Sequence, residues 1–149
     1  MTQEQKSLLI KDLYARLPYK PIVQIDDCGI WNLRGIDHDD SAELRDRVIV
    51  WHGKNYPSSK SSFPIIDCKP YLFPFSSMTE EQLFEVQEIL GKNEIEIGDG
   101  FLSIIDSDRN TITYLEILAL LNWFYKNHFD INNLIPMGLA IDATGLNIY

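Results

Sequence analysis

Apolar side chains recur every three or four residues near the start of the chain, which is the spacing of a helix with one apolar side. Thr2 and Gln5 have the spacing of a capping box, in which each side chain bonds to the backbone of the other residue. Pro18 ends the pattern, because its nitrogen has no hydrogen to donate. The sequence therefore predicts an amphipathic helix over residues 3–17, with its apolar side against the rest of the fold.

Two further helices are predicted from the same signals. Thr79 and Gln82 form a second capping box, which predicts a helix over residues 80–90 with Gly91 at its C-cap position. Residues 114–125 are apolar around most of the helical circumference. We expect this third helix to be the most buried of the three, because a helix without a polar face is typical of a protein interior.

Between the first two helices the composition changes to the β-branched and aromatic residues of strands. Four short segments have this character and are separated by polar turns: 21–25, 29–36, 47–51 and 63–67. Residues 69–75 are predicted as an extended crossing, because each proline disfavours helix in the residue before it, and residues 138–142 as a last strand. Together these elements predict one α+β domain over residues 1–149, with a small twisted antiparallel sheet or partial barrel, the N-terminal helix and two further packed helices.

The segment DSDRNTITYLE, residues 106–116, has the alternating acidic residues that begin a calcium-binding loop. An EF-hand loop needs a glycine at position 6 and a glutamate at position 12. If Asp106 is position 1, position 6 is a threonine and Glu116 falls one place early, and a strand precedes the segment where a helix is required. No metal site is therefore predicted, and we expect a β-hairpin in which residues 101–106 pair with residues 111–113.

The chain carries 22 acidic and 13 basic residues, for a net charge of −9, and its basic residues form no stripe. Direct nucleic-acid binding is disfavoured, because such binding depends on basic side chains at the phosphates. No apolar run approaches the length of a membrane span, and the first residues lack the pattern of a secretion signal. With Cys28 and Cys68 predicted as free thiols, the sequence favours a cytoplasmic protein without a membrane segment.

The densest group of acidic residues lies in the loop after the second predicted strand. If the protein binds a basic partner, this loop is the first candidate for the contact, through Asp37, Asp39, Asp40 and Glu43. A solvated polar loop is the alternative, and it is the more frequent role of such a segment.

Two histidines stand beside aspartates, and a divalent ion or an acid–base reaction could use such pairs. His38 lies within the acidic loop, and His128 precedes Asp130 in the sequence His-Phe-Asp. We expect Asp130 to cap the next turn, by accepting from the backbone near Asn132 or Asn133. No nucleophile motif or phosphate-binding loop accompanies either pair. The sequence therefore predicts no catalytic residue, metal ligand or cofactor.

Three strings resemble a group of small uncharacterised proteins of Bacteroides-type gut bacteria and their prophages or mobile elements: MTQEQKSLLIKDLYARLPY, KPYLFPFSSMTEEQ and NWFYKNHFDINNLIPMGLAIDA. They lie at both ends and in the middle of the chain and include both capping boxes. In that group the last string typically reads HFDYRGLIxxGLALEAP, so the present chain has Ile-Asn-Asn where Tyr-Arg-Gly is usual. The resemblance implies a genetic context but no reaction.

The sequence thus favours a non-enzymatic cytoplasmic accessory protein of a phage or mobile element, which binds another protein through an acidic surface. One alternative is a small metal-dependent hydrolase or nuclease-like enzyme that uses the His–Asp pairs. A second alternative is a structural virion component, and homo-oligomerisation stays open.

Overall fold

The computed structural model describes residues 1–37, 47–51, 60–91, 94–98, 101–105 and 112–149. In these ranges the chain forms three helices: α1 (Gln3–Arg16), α2 (Glu80–Leu90) and α3 (Tyr114–Lys126). It also forms eight strands: β1 (Ile22–Ile25), β2 (Gly29–Asp37), β3 (Arg47–Trp51), β4 (Lys60–Pro64), β5 (Cys68–Leu72), β6 (Glu94–Gly98), β7 (Phe101–Ile105) and β8 (Ile141–Asp142). The α+β class, the N-terminal helix and the two further helices are confirmed.

Six strands form an open twisted sheet in the order β4-β3-β2-β1-β5-β8. Neighbouring strands are antiparallel except for β5 and β8, so the sheet is mixed where the sequence predicted an antiparallel one. The proposed crossing at residues 69–75 is largely strand β5, which pairs with β1 on one side and β8 on the other. Pro70 pairs with β1 only, because β8 begins to pair at Tyr71, so the other side of this position is a sheet edge, where a proline is tolerated.

The predicted hairpin between residues 101–106 and 111–113 is wrong. Strand β7 pairs antiparallel with β6 instead, from Glu94 opposite Ile105 to Gly98 opposite Phe101. Thr113 is not in a strand, because it is the N-cap of α3 and its hydroxyl accepts from the backbone N–H of Glu116. The Glu116 carboxylate in turn accepts from the Thr113 backbone at 2.6 Å, which completes a third capping box.

Two hydrophobic clusters lie side by side. The first packs α1 and residues 134–140 against the large sheet, around Leu13, Leu33 and Leu134. The second is aromatic and joins α2 to α3, with Val86, Phe124 and Phe129 as buried members. Phe73 and Phe129 form a parallel bridge at which the sheet edge meets the chain after α3.

The third capping box can be tested by removing its hydroxyl. We expect Thr113→Ala to lower the free energy of unfolding by about 1 kcal/mol in urea denaturation, because a backbone N–H at the helix start loses its acceptor. Thr113→Ser keeps the hydroxyl and should stay close to the original stability. Hydrogen bonds from Thr113 lower the pKa of Glu116, so NMR titration should show this pKa rising in Thr113→Ala. An unchanged pKa in Thr113→Ala would contradict the hydrogen bond from the Thr113 hydroxyl to the Glu116 carboxylate, and an unchanged stability would contradict the capping role.

Candidate functional site

A buried ion pair lies on the inner side of α1. Asp12 and Arg16 are both fully shielded from solvent, one helical turn apart. The Arg16 guanidinium donates to both Asp12 carboxylate oxygens, at 2.6 and 3.0 Å, which is the bidentate geometry of a strong pair. Asn132 adds a third hydrogen bond to the Asp12 carboxylate at 2.9 Å.

Arg16 also holds the chain that follows α3. Its guanidinium donates to the backbone carbonyl of Phe129 at 2.7 Å and stands 5.1 Å from the centre of the Tyr125 ring. Two backbone hydrogen bonds join the same turn to Phe73, which follows strand β5. The Phe73 N–H donates to the His128 carbonyl, and the Asp130 N–H donates to the Phe73 carbonyl, each at 2.9 Å. The His-Phe-Asp turn is thus held between α1 and the end of β5.

His128 occupies this turn in a left-handed backbone conformation, with φ of 60°. Its ring is only 7% exposed and stacks on the ring of Tyr149 at 3.8 Å between centres. Burial, with the nearby Arg16 charge as a second cause, lowers the pKa of His128 to about 4. The ring is therefore neutral near pH 7, and its buried Nδ1 atom has no hydrogen-bond partner within the described ranges.

The predicted capping role of Asp130 is confirmed, with partners slightly further along the chain than expected. Its two carboxylate oxygens accept from the backbone N–H groups of Leu134 and Ile135, each at 2.8 Å. Burial is the largest influence on this carboxyl and raises its pKa, although the two backbone bonds act in the opposite direction. With both oxygens bound to backbone donors, Asp130 is placed to hold a turn rather than to serve His128 as an acid–base partner.

The acidic loop is described only at its first residue. Asp37 is exposed at the end of β2, whereas His38, Asp39, Asp40 and Glu43 lie outside the described residues. Residues 106–111 of the calcium-like segment also lie outside them. Within the described ranges, no three His, Cys, Asp or Glu side chains group in the way that metal binding requires.

The prediction that α3 is the most buried helix is wrong. Leu120 and Phe124 are its buried residues, because α2 and the aromatic cluster cover only one side of the helix. Five large apolar side chains on the remaining surface are exposed by 37% to 75%: Tyr114, Leu115, Ile117, Leu118 and Leu121. We refer to these five residues as the α3 face. Such a contiguous apolar surface is typical of an interaction site.

The acidic side of α2 contacts α3 at Trp123, which comes nine residues after Tyr114 and therefore lies on the opposite side of the helix from the α3 face. Glu85 accepts from the indole nitrogen of Trp123 at 2.8 Å, which places the outer side of α2 next to α3. Glu81 and Glu88 share that outer side with Glu85, because they lie four and three residues from it; these three glutamates and the neighbouring Phe84 are all exposed. Phe84 is 64% exposed and adds apolar surface to the acidic helix.

The sequence contained a signal for the Asp12–Arg16 pair that was missed. Both residues fall within the apolar stripe of α1, four positions apart, where a charged residue needs an oppositely charged partner. A separate cleft of about 260 Å³ opens between the start of α1, Cys68 and Gly138. It is smaller than a usual small-molecule site, and burial raises the pKa of the Cys68 thiol, which keeps it protonated.

Comparison of the chain with protein-family models, with curated proteins and with solved structures finds no match. None of the helices in the described part of the chain is both long enough and apolar enough to cross a membrane. In the geometry of this site the buried polar residues hold the fold, and the α3 face is an exposed apolar surface that a partner could cover.

If Asp12 and Arg16 stabilise the fold as a pair, the effects of substituting them on the free energy of unfolding should not be additive. We expect Arg16→Met to lower the free energy of unfolding by about 3–5 kcal/mol, because it leaves the Asp12 carboxylate buried without its counter-charge. The double variant Asp12→Leu/Arg16→Met removes both charges and should be more stable than Arg16→Met alone in urea denaturation. Lys11→Met, an exposed change on the same helix, should have little effect. Equal losses for the single and double variants would contradict a pairing role.

His128 should make stability depend on pH. The unfolded chain binds a proton at His128 below about pH 6.5, whereas the folded chain resists this until about pH 4. The unfolded state therefore binds more protons between these values, and stability should fall by roughly 2–3 kcal/mol as the pH drops from 6.5 to 4. His128→Asn should remove this part of the slope in urea denaturation, since asparagine tolerates the left-handed backbone.

The raised pKa of Asp130 has the opposite effect on stability, because it favours the folded state as the pH falls. Asp130 is present in the original chain and in His128→Asn. The difference between their pH slopes therefore reports His128 alone. Equal pH slopes for the original chain and His128→Asn would show that the ring is protonated as readily in the folded state as in the unfolded state.

Proposed function

We propose that this chain is a non-enzymatic accessory protein that acts by binding another protein. The observation that carries the proposal is the α3 face, on which five large apolar side chains remain exposed. Leaving such residues in water forfeits hydrophobic stabilisation that burial would provide, and a binding partner can recover it. The main contact of the proposed function is therefore α3, and not the loop of Asp37.

The buried polar groups support a binding role over an enzymatic one. The Asp12 carboxylate is occupied by Arg16 and Asn132, and the Asp130 carboxylate is occupied by two backbone donors. These groups are not left free to meet a substrate, which an acid–base residue must do. The proposal therefore assigns them to the scaffold that presents α2 and α3.

The cellular setting is part of the same proposal. We place the protein in the cytoplasm, which agrees with an exposed Cys28 and a buried Cys68 that are both free thiols. The phage or mobile-element context rests on the resemblance of the terminal and central strings of the sequence. Asp37, Asp39, Asp40 and Glu43 remain candidates for a secondary, charge-based contact with the partner.

Site-specific photo-crosslinking tests the proposal in cells of the organism that encodes the chain. A benzophenone amino acid at Leu115, which is 75% exposed, should give a discrete light-dependent adduct with another protein. The same group at Ile66, which is 62% exposed between β4 and β5, is the matched control and should give no such adduct. A third probe at Asp37 tests the acidic loop.

An adduct at Leu115 that is absent at Ile66 supports the proposal, and mass spectrometry then identifies the partner. No adduct at Leu115, or the same adducts at Leu115 and Ile66, would count against protein binding through the α3 face. Circular dichroism of both substituted proteins should match that of the original chain, because both positions are exposed and tolerate large side chains.

A further inference from the structure

We infer that residues 143–149, which follow β8, form a strap that covers His128 and opens when this histidine takes up a proton. We refer to these residues as the strap. The inference does not depend on the α3 face or on the proposed function. Two features carry it: a hydrogen-bonded bridge from the strap to the sheet, and the ring stacking that shields His128 from water.

The hydroxyl of Tyr149 extends the pairing of two strands. The antiparallel ladder between β1 and β5 ends at Val23 opposite Pro70, so the next step of the same register places Ile22 opposite Tyr71. At this step the Tyr149 hydroxyl accepts from the Ile22 N–H at 3.3 Å and donates to the Tyr71 carbonyl at 2.8 Å. One side chain therefore bridges two backbone groups and fixes the end of the strap on the sheet.

The start of the strap is fixed separately. The Ala143 N–H donates to the Leu72 carbonyl at 2.8 Å, and the Leu146 N–H donates back to Ala143 at 3.0 Å. Asn147 lies between these contacts and Tyr149, with φ of 35°, a left-handed conformation that is strained for a residue with a side chain. A short segment with a strained residue between two fixed ends can open locally while the sheet stays folded.

The second feature is the cover that the strap gives to His128. The ring of Tyr149 lies on the buried ring of His128, with 3.8 Å between their centres and 12° between their planes, and the Phe73 ring lies 5.9 Å from that of Tyr149. Burial is the largest cause that lowers the pKa of His128 to about 4. Removal of the cover should bring this pKa back towards 6.5, so a proton binds His128 more strongly when the strap is open. By linkage, acid then favours the open strap.

The charges around His128 also favour opening over a protonated ring inside the closed strap. They come from three elements: Asp12 and Arg16 on α1, Asp130 in the turn of His128, and the titratable phenol of Tyr149 on the strap. Arg16 is positive and occupies the Asp12 carboxylate, while two backbone donors occupy Asp130. Neither carboxylate is free to pair with a protonated ring, and the phenol stays uncharged in acid. The imidazolium therefore needs water, which an open strap admits.

Amide hydrogen exchange followed by NMR tests the inference on the original chain. The Ile22 and Ala143 N–H groups report the two ends of the strap, and the Leu33 N–H, which donates to Pro21 at 3.0 Å, reports the sheet. If the pKa of His128 moves between about 4 and 6.5, protection of Ile22 and Ala143 should fall about twentyfold from pH 7 to pH 5. Protection at these two positions should be lower than at Leu33 and insensitive to low concentrations of urea, because local opening exposes little surface.

Substitutions separate the two features of the strap. Tyr149→Leu removes the stacked ring and should raise the pKa of His128, measured by NMR titration, to about 5 or higher. Tyr149→Phe keeps the ring and loses the bridge, so protection of Ile22 should fall while the pKa of His128 stays low. Tyr14→Leu, at a tyrosine of similar exposure on α1, is the matched control and should leave that pKa unchanged. His128→Asn should abolish the twentyfold effect of pH on the strap.

Three results would overturn the inference. An unchanged pKa of His128 in Tyr149→Leu would show that the strap does not shield the ring. Equal protection of Ile22 and Leu33, with equal sensitivity to urea, would mean that both open only when the whole domain unfolds. The same loss of protection in acid for His128→Asn would assign the effect to another group. The exchange measurement on the original chain needs no substitution, so it decides the question even if Tyr149→Leu does not fold.

Discussion

A guanidinium group that is shielded from water must find its hydrogen-bond partners inside the protein, because desolvation of an unpaired charge is strongly unfavourable. Arg16 binds Asp12 on its own helix and the carbonyl of Phe129, 113 positions further along the chain, through Nε and Nη2, while its buried Nη1 has no hydrogen-bond partner among the described residues. One side chain thereby joins α1 to the turn after α3. The first hydrophobic cluster, between α1 and the large sheet, meets the second, aromatic cluster at that turn. The position of one cluster relative to the other therefore depends on the geometry of the Asp12–Arg16 pair.

The aromatic cluster shows how the pair is supported by packing. Phe129 lies 5.6 Å from Trp123 and 6.0 Å from Phe75, nearly parallel to both rings. Its backbone carbonyl faces Arg16 while its side chain fills the second core. A displacement of this residue would therefore disturb a charge contact and an aromatic contact together. The sequence His-Phe-Asp suits the junction of the two clusters, because its central aromatic side chain fills the second cluster while its flanking residues are polar.

Local signals in the sequence were sufficient for the helices and for most strands. The capping boxes at Thr2 and Thr79 and the C-cap at Gly91 give helix boundaries within one residue of those observed. The pairing of β7 with β6 and of β8 with β5 was missed, because strand partners are set by contacts between distant residues. Glu116 was considered as a displaced metal ligand, although its position three residues after Thr113 is that of a capping residue.

The candidate site was less predictable than the fold for a physical reason. An apolar helix has the same sequence pattern whether its second side meets the core or a partner, so composition alone could not separate these cases for α3. The Asp12–Arg16 pair had a local signal, its spacing of four, but the contact with Phe129 follows only from tertiary packing. Asp39, Asp40 and Glu43 lie outside the described residues, so their predicted role in binding stays a prediction.

The separation along the chain between Arg16 and its distant partners has a consequence for folding during synthesis. Helix α1 leaves the ribosome with its guanidinium in place, yet Phe129 and Asn132 follow only after more than a hundred further residues. Until then the inner side of α1 has no complete binding site for its charge and stays in contact with water. The contacts of Arg16 with Phe129 and of Asp12 with Asn132 can therefore form only after the chain through these later residues has been synthesised.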